Sequence, residues 1–387
     1  MSNQDPIVVI GAGQCGLKAV ETLRQAGYDG ALQLVGEEPH APYQRPPLSK
    51  AFLKGAMSED RLQLTHSDFF SDQNIETCFG SKVVRLDTGA HIAELDDGHS
   101  LRYSKALVAT GSRPRPLPLP GSDLSGVHTL RTLNDTKYLA ETRSGKTSIA
   151  IIGGGYIGLE VAASMRVLGH EVTVIEGAQR VLERVVCPQV SQFFEDLHAR
   201  NGVAIRKGIL PTALTGDGHV TAVELADGQS IACNVVLIAI GGVPNVDLAA
   251  SAGLPVDGGI HVDEACRTSA PDVFAAGDCA FFPSRRYGRH IRLESVQNAI
   301  DQGKAAARSM LGEVVSYDPV PWFWSDQFDA KLQIAGLSQG FDRVETCKGP
   351  RDESFSVTYF SQGRMICVDA VNFPRAHMLA RRQLAGD

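Results

Sequence analysis

The chain has 387 residues, of which 43% are hydrophobic, and a formal net charge of −7 at pH 7. This length predicts about two to three domains, and the acidic balance argues against a general binder of nucleic acids or anionic membranes. No apolar run approaches the ~18 residues of a membrane span. The first residues lack the basic and apolar regions of a signal peptide, so we expect a cytoplasmic protein.

A glycine motif follows the first predicted strand. An apolar run over 7–10 ends in the pattern Gly11-x-Gly13-x-x-Gly16, and a helix is predicted over 14–26. The first glycine allows a tight turn, the second lets the backbone approach a pyrophosphate, and the third lets helix and strand pack closely. Free N–H groups at the helix N-terminus favour the phosphates. Glu37 lies about 20 residues further on, where an acid binds a ribose hydroxyl.

The stretch between the two glycine motifs contains loops and short elements. A proline-rich loop over 36–50 leads into a helix predicted to start at Ser49, and another helix is predicted over 62–74. Residues 75–103 alternate and contain turn residues, which predicts short antiparallel strands before a buried strand over 106–110. Prolines over 112–121 predict an extended linker, and a helix is predicted over 133–143.

The same motif then occurs again. The apolar run over 149–152 ends in Gly153-x-Gly155-x-x-Gly158, and Glu176 lies about 20 residues later. Residues 226–245 resemble 96–115, so the repeat extends to the end of each module. The sequence therefore predicts two adenine-dinucleotide sites, and an enzyme with two such sites most simply passes electrons between them.

The last third begins with a strand over 273–276 that meets a turn at Gly277 and Asp278, followed by a long helix over 294–311. The remainder predicts a small α+β domain with strands near 331–335, 354–360 and 364–371 and a final helix over 374–384. The predicted fold class is α/β, with two Rossmann-like domains and a small C-terminal α+β domain.

Eight cysteines are present, but none forms a C-x-x-C or C-x-x-x-x-C pattern. The sequence therefore predicts no metal site and no local redox disulfide. Electrons that leave the first cofactor would therefore have no local disulfide of this chain to reduce.

The motifs together resemble flavoproteins with two dinucleotide-binding domains, and specifically the ferredoxin reductase components of bacterial oxygenase systems. Rubredoxin reductases share nearly all of the motifs, so the resemblance leaves the electron carrier open. The segments that carry it are 11–16, 43–50, 109–115, 153–160, 276–279, 294–299 and 321–327.

The resemblance implies a discontinuous FAD-binding domain over 1–112 and 245–317, an inserted NAD-binding domain over 113–244 and a C-terminal domain over 318–387. It implies contacts to FAD from the following residues: Gly11, Gly13, Cys15, Gly16, Glu37, Arg45, Lys50, Val83, Thr110, Gly111, Arg131, Asp278, Val296 and Trp324. It implies contacts to NADH from a second set: Gly153, Gly155, Tyr156, Ile157, Gly158, Glu160, Glu176, Arg184, Ile240 and Gly241.

Lys50 and Glu160 are the catalytic residues that the resemblance implies, with Lys50 near the reactive flavin nitrogen and Glu160 near the nicotinamide carboxamide. From the sequence alone, a lysine such as Lys50 is more often a solvated surface residue, and Glu160 is an acid that complements a helix dipole. Trp324, with Trp322, is either a core aromatic or a residue at the flavin face.

Glu176 favours NADH, because a carboxylate accepts ribose hydroxyls and repels a 2′-phosphate. Arg180 and Arg184 follow it, and an arginine nearby would partly restore NADPH binding.

Because the chain has no redox cysteine pair, the expected route is stepwise electron transfer to a small acidic carrier. A basic patch on this protein should bind that carrier. The candidate patch is Arg285, Arg286, Arg289 and Arg292, with Arg375, Arg381 and Arg382 contributing, although such a run is equally a solvated loop. A ferredoxin is the expected carrier. The alternatives are rubredoxin reduction, monodehydroascorbate or quinone reduction, and redox signalling of the kind that apoptosis-inducing flavoproteins perform.

Overall fold

The computed structural model describes residues 5–143 and 145–386. Residues 1–4, which entered the signal-peptide argument, and the outermost limits of the predicted domains at 1 and 387 lie outside the described residues. The chain forms two compact units. The first contains the chain up to Gln44, Gln63–Arg113 and Val243–Pro321, and the second contains Arg45–Leu62, Pro114–Gly242 and the chain from Trp322. The predicted domain boundaries differ from the limits of these two units and remain a prediction.

The helices within the described residues are α1 Gln14–Gln25, α2 Phe69–Asp72, α3 Leu133–Ala140, α4 Tyr156–Val167, α5 Pro188–Arg200, α6 Asp247–Ser251, α7 Val296–Met310 and α8 Pro374–Ala385. Short 3-10 helices cover Pro46–Ser49, Glu59–Leu62 and Glu141–Arg143. None of these helices combines the length and apolar character that crossing a bilayer requires.

The strands before the second glycine motif are β1 Ile7–Ile10, β2 Leu32–Gly36, β3 Glu76–Phe79, β4 Val83–Asp87, β5 Ile92–Leu95, β6 Ser100–Arg102, β7 Lys105–Val108, β8 Ser112–Pro114 and β9 Val127–His128. The next strands are β10 Ser148–Ile152, β11 Glu171–Glu176, β12 Ala204–Lys207, β13 Pro211–Thr215, β14 Ala222–Leu225, β15 Ser230–Ala232, β16 Val235–Ile238 and β17 Gly242–Pro244. The last are β18 Ile260–His261, β19 Val273–Ala275, β20 Ala280–Ser284, β21 Arg289–Ile291, β22 Trp322–Gln327, β23 Ala330–Gly336, β24 Arg343–Lys348, β25 Phe355–Ser361 and β26 Arg364–Val371.

A parallel sheet forms the centre of the first unit, with strand order β19-β7-β1-β2-β3. β1 pairs in parallel with both β2 and β7, and all four of its residues are buried. A strand buried on both faces needs a continuous apolar run, which is what residues 7–10 provide. The β1–α1–β2 unit therefore places the glycine loop at the carboxyl end of the sheet, where ligands bind in such folds.

The second unit repeats this arrangement. Its parallel sheet has the order β12-β11-β10-β16-β9, and each unit also contains a three-stranded sheet with consecutive neighbours, β4-β5-β6 in the first and β13-β14-β15 in the second. The repeat detected in the sequence thus corresponds to two Rossmann-like modules, and the predicted fold class is confirmed.

The C-terminal part is an antiparallel sheet of order β22-β23-β26-β25-β24, against which α8 packs. The predicted strands near 331–335, 354–360 and 364–371 and the final helix are present. Two further strands, β22 and β24, were not predicted. β24 is largely exposed, so it lacks the apolar alternation that marks a half-buried strand.

Three local predictions were wrong. No α-helix starts at Ser49: the 3-10 helix Pro46–Ser49 ends there, because Lys50 adopts a non-helical conformation with φ −128° and ψ −105°. The helix predicted over 62–74 is reduced to α2, with a 3-10 helix ending at Leu62. β3 pairs in parallel with β2, whereas an antiparallel strand was predicted.

Candidate active site

The glycine loop of the first unit leaves space at the N-terminus of α1. Gly11 has φ +119°, and a Cβ there would lie 2.2 Å from the Ala109 carbonyl oxygen. A Cβ on Gly16 would lie 2.0 Å from the Gly11 carbonyl oxygen, whereas one on Gly13 would meet nothing within 4 Å. The first and third glycines are therefore required by the protein's own backbone, while Gly13 borders open space beside free helix N–H groups. This cradle fits a pyrophosphate.

The second unit shows the same division of roles among its glycines. A Cβ on Gly153, at φ +112°, would lie 2.4 Å from the Ala239 oxygen, and one on Gly158 would lie 2.1 Å from the Gly153 oxygen. Gly155 has nothing within 4 Å of its added Cβ. The loop before α4 therefore also fits a dinucleotide pyrophosphate.

The two predicted ribose-binding acids differ in their surroundings. Glu37 is exposed and forms an ion pair with Lys82 at 2.9 Å. Glu176, the last residue of β11, accepts hydrogen bonds from the backbone N–H of Gly154 at 2.6 Å and of Ala178 at 2.8 Å. Backbone donors thus hold the Glu176 carboxylate beside the second glycine loop.

Other predicted FAD contacts lie in the first unit around the Gly277–Asp278 turn. Ser112 donates to Asp278 Oδ2 at 3.0 Å, and the Gly277 N–H donates to Gln302 Oε1 at 2.8 Å, so the start of β8 and α7 fix the turn. Val296 is the first residue of α7, which Ser295 caps.

The carboxyl end of β7 holds two more of these residues, and β4 begins with a third. Thr110 follows β7 and donates to the Asn245 carbonyl at 2.7 Å. Gly111 has φ +70°, and Val83 begins β4 next to Lys82. Cys15 is buried and lies close to Gly277, and burial raises the pKa of its thiol well above the usual value.

The remaining predicted FAD contacts, Arg45, Lys50, Arg131 and Trp324, belong to the second unit. Arg45 Nη1 donates to the Arg131 carbonyl at 2.6 Å, and the Arg131 N–H donates to Asp135 at 2.8 Å. Trp324 is half-buried beside Trp322, with ring centroids 5.7 Å apart.

Lys50 and Glu160 form an ion pair, with Nζ 2.7 Å from Oε2. Glu160 is only 3% exposed, so its charge has lost nearly all contact with water. Ser49 donates to the same carboxylate oxygen at 2.6 Å, and Ser325 donates to Oε1 at 2.8 Å. Three donors therefore offset the desolvation of one buried carboxylate.

Two segments bring these donors to Glu160. Ser164, one turn further along α4, donates to the Ser49 carbonyl at 2.7 Å and so fixes the end of the 3-10 helix against α4. Alternation along β22 directs Phe323 and Ser325 toward α4, where the rings of Phe323 and Tyr156 lie 4.6 Å apart. Ser49 and Ser325 lay in segments that the resemblance used, but nothing in the sequence marked their roles.

The other predicted NADH contacts cluster near the second glycine loop. Tyr156 begins α4, Ile157 is 45% exposed, and Gly241, preceded by Ile240, follows β16 with φ +101°. The Arg184 guanidinium reaches 3.6 Å from the position of an added Gly241 Cβ.

Arg180, in contrast, is held by its own loop and by α5. Its guanidinium donates to the Val186 carbonyl at 2.7 Å, to Ser191 Oγ at 2.6 Å and to the Glu183 carbonyl at 2.9 Å. Of the two arginines that follow Glu176, only Arg184 is exposed.

Comparison with known proteins places these features in a family. The family model for pyridine nucleotide-disulphide oxidoreductases matches residues 5–303, and a model described as reductase C-terminal matches residues 322–387. The chain belongs to the pyridine nucleotide-disulphide oxidoreductase family. It is an FAD-containing, NAD(P)H-dependent oxidoreductase, which confirms the predicted enzyme class and cofactors.

Individual known proteins resemble the chain over nearly its full length. Rhodocoxin reductase of Rhodococcus erythropolis is 43% identical over 381 residues, which are 98% of this chain and 89% of that protein. Rubredoxin-NAD(+) reductase of Pseudomonas putida is 36% identical over 370 residues, or 95% of this chain and 96% of that protein. The reductase in a crystal structure of the covalent putidaredoxin reductase–putidaredoxin complex superposes with a TM-score of 0.95 at 38% identity, covering 98% and 93% of the two chains.

Proposed function

We propose that this oxidoreductase passes electrons from NADH through FAD to a small iron-sulfur ferredoxin that feeds an oxygenase. The observation that carries the proposal is the ion pair between half-buried Lys50 and buried Glu160 beside the second glycine loop, with a serine rather than a cysteine at position 49. This arrangement suits hydride transfer without a protein disulfide.

The glycine loops and the acids after them would bind the two dinucleotides. Gly11, Gly13 and Gly16 would hold the pyrophosphate of FAD, and Gly153, Gly155 and Gly158 that of NADH. Glu176 has two backbone N–H donors but keeps lone pairs for ribose hydroxyls, and its charge disfavours a 2′-phosphate. NADH is therefore the proposed donor, and an equal kcat/KM for NADPH would contradict this.

FAD, when bound, accepts a hydride from NADH and releases electrons singly. Lys50 and Glu160 would orient the reacting groups, Glu160 by accepting from the nicotinamide carboxamide and Lys50 by placing a positive charge beside the flavin. Asp278 would bind the ribitol, and Val296 would offer its backbone N–H at the start of α7. The other proposed FAD contacts are Cys15, Glu37, Arg45, Val83, Thr110, Gly111, Arg131 and Trp324, and the other proposed NADH contacts are Tyr156, Ile157, Arg184, Ile240 and Gly241.

The cysteines favour an external acceptor. All eight are free thiols, and burial raises the pKa of Cys15, Cys266 and Cys279, which keeps these thiols protonated and unreactive. Electrons would therefore leave for a separate carrier, and a reductase of similar structure is known in a complex with putidaredoxin.

The basic helix α8 supports an acidic carrier more strongly than the 285–292 run does. Arg285 pairs with Glu264, and Arg292 pairs with Glu294, so this run is partly neutralised. α8 contains no acid, and Arg381 lies over the Trp322 ring at 4.7 Å. The exposed side chains of Arg375, Met378, Leu379 and Arg382 share this helix.

Anaerobic electron delivery tests the proposal. The holoenzyme with NADH should reduce a two-iron ferredoxin rapidly and a rubredoxin slowly. The reverse preference would transfer the proposal to rubredoxin reduction, which the rubredoxin-NAD(+) reductase of Pseudomonas putida supports as the second candidate. Rapid reduction of quinone or monodehydroascorbate with no carrier turnover, or very slow turnover with every acceptor, would contradict both.

We also propose that the enzyme acts in the cytoplasm, because the NADH pool that would supply it is there. Its free thiols agree with a reducing compartment. Fractionation of the native host, with a cytoplasmic and a periplasmic marker, tests this location.

A further inference from the structure

A row of buried polar side chains continues from Glu160 into the second unit. Ser325 Oγ donates to Glu160 Oε1 at 2.8 Å and accepts from Gln327 Nε2 at 3.2 Å. Gln327 Oε1 lies 2.9 Å from His198 Nε2. Ser325, Gln327 and His198 are all 0% exposed, so each hydrogen bond lies in an environment without competing water.

The chemistry of these groups allows one direction of donation. An ionised carboxylate only accepts, so the single Ser325 hydroxyl proton is directed to Glu160. The Ser325 oxygen is then free to accept, which directs the Gln327 amide N–H toward it and leaves the amide oxygen facing His198. That oxygen also only accepts, so the imidazole must be the tautomer with its proton on Nε2.

The far end of the row agrees with a neutral imidazole. Burial lowers the pKa of His198 to about 4, despite the hydrogen bond to Gln327. Within residues 5–143 and 145–386, His198 Nδ1 has no hydrogen-bond partner, and the ring packs edge-to-face on Phe328. A proton on Nδ1 would therefore be buried without an acceptor.

We propose that His198, Gln327 and Ser325 form a positioning relay that holds the Glu160 carboxylate in the orientation needed to pair with Lys50 and to receive the nicotinamide. The relay connects three elements. His198 lies on α5, Ser325 and Gln327 lie on one face of β22, and Glu160 lies on α4. Among the described residues, Ser325 is the hydrogen-bond donor to Glu160 Oε1, so its removal would leave the carboxylate freer to rotate away from Lys50.

This inference rests on the proposed role of the Lys50–Glu160 pair, and it assigns positioning roles to residues that do not touch the reacting atoms. A hydrogen bond to a charged group contributes about ten- to a hundredfold in an equilibrium or rate. Ser325→Ala should therefore slow the reduction of bound flavin by NADH by about tenfold or more, with a smaller change in NADH affinity. His198 lies two hydrogen bonds further from Glu160 than Ser325 does, so His198→Leu should slow flavin reduction by about three- to tenfold.

Stopped-flow comparison with matched variants tests the relay. His198→Gln keeps an N–H donor near the Nε2 position and should retain the rate within about twofold. Ser356→Ala removes a buried hydroxyl from β25 of the same sheet and serves as the control for general loosening. Transfer from chemically reduced enzyme to the carrier should be unchanged in all four variants, which separates positioning from misfolding.

A second measurement does not depend on turnover. Nitrogen-15 NMR of the histidine rings, with His198→Gln to assign the signal, should show His198 protonated on Nε2 only, with no titration above pH about 5. A proton on Nδ1 would overturn the relay. So would wild-type reduction rates in Ser325→Ala and His198→Leu alongside a slow Glu160→Ala. If Glu160→Ala itself reduces at the wild-type rate, the proposed role of the pair fails and the relay with it, whatever tautomer the NMR shows.

Discussion

At the scale of single residues, the Glu160 carboxylate illustrates how this site balances charge. A buried carboxylate alone would be strongly disfavoured. Here Lys50, Ser49 and Ser325 supply its donors, so the ion pair persists where little water reaches it. Such a pair contributes little net stability to the fold, so we interpret it as a group that serves the reaction.

Lys50→Met and Glu160→Ala should each slow the reduction of flavin by NADH by about 10²-fold, the usual cost of losing one preorganised electrostatic group. Stopped-flow absorbance at saturating NADH measures this. Glu160→Gln, which keeps the shape of the side chain, separates the loss of charge from the loss of packing. FAD content and thermal stability should change much less than the rate, and an unchanged rate would remove the pair from the mechanism.

Asp369 predicts how stability depends on pH. Burial raises its pKa to about 7, against hydrogen bonds from Tyr359 and Cys367 that lower it. Since the folded-state pKa exceeds that of the unfolded chain, the folded protein binds more protons between the two values, so stability falls as the pH rises from about 4 to about 7 and levels off above that.

Asp369→Asn should remove this dependence. Relative to Asp369→Asn, wild type should lose about 1.4 kcal/mol of stability per pH unit between about pH 4 and 7. Above about pH 7 the difference should stay constant, and melting temperatures between about pH 4.5 and 9 measure both ranges. Asp352→Asn, at an exposed position, is the control and should follow the wild-type curve. Parallel curves for wild type and Asp369→Asn between about pH 4.5 and 7 would show that the pKa of Asp369 is not raised in the folded protein.

At the scale of elements, the two βαβ glycine loops use their glycines for different physical reasons. Gly16 and Gly158 lie against the protein's own backbone, whereas Gly13 and Gly155 border open space. Both open glycines have extended backbone conformations, with φ −91° and −81°, that alanine also adopts.

Gly13→Ala should therefore fold normally but bind FAD about 10²-fold more weakly, because an added methyl group keeps the loop N–H groups from the pyrophosphate. Gly16→Ala should instead lower the melting temperature of the apoprotein as well. Gly155→Ala is the matched variant in the other loop: it should retain FAD and raise the KM for NADH. Equal loss of stability in Gly13→Ala and Gly16→Ala would contradict this division.

At the scale of the whole molecule, charge is distributed unevenly. The chain carries a net charge of −7, yet α8 contains three arginines and no acid. An acidic carrier would be repelled by the molecule in general and attracted to this helix. Docking guided in this way depends on ionic strength.

Arg381→Glu with Arg382→Glu should raise the KM for the ferredoxin by about tenfold at low salt and flatten its salt dependence. Reduction of ferricyanide, a small acceptor, should stay near the wild-type rate. Arg102→Glu with Arg308→Glu, two exposed substitutions on β6 and α7, changes the net charge by the same amount and is the control. A salt dependence unchanged by the double substitution would move the docking surface elsewhere, with Arg285 and Arg286 as the next residues to reverse.

The sequence by itself determined the local features of this protein. Apolar runs, glycine spacing and acids about 20 residues later predicted both Rossmann-like modules, because each βαβ unit is encoded within a short stretch of chain. The helix predicted to start at Ser49 does not form. Residues 46–49, which begin with two prolines, form a 3-10 helix, and the backbone of Lys50 is not helical. The resemblance to known reductases, rather than any periodicity, pointed to Lys50 and Glu160.

Only the tertiary structure decided how the candidate site is assembled. Lys50 and Glu160 are 110 positions apart, and Ser325 lies 165 positions from Glu160. Their meeting depends on the packing of a 3-10 helix and of β22 against α4, and no local pattern encodes a contact between such distant segments. A buried serine or histidine looks the same in sequence whether it is a satisfied core residue or part of a relay. The difference lies in the hydrogen-bond partners that the fold supplies.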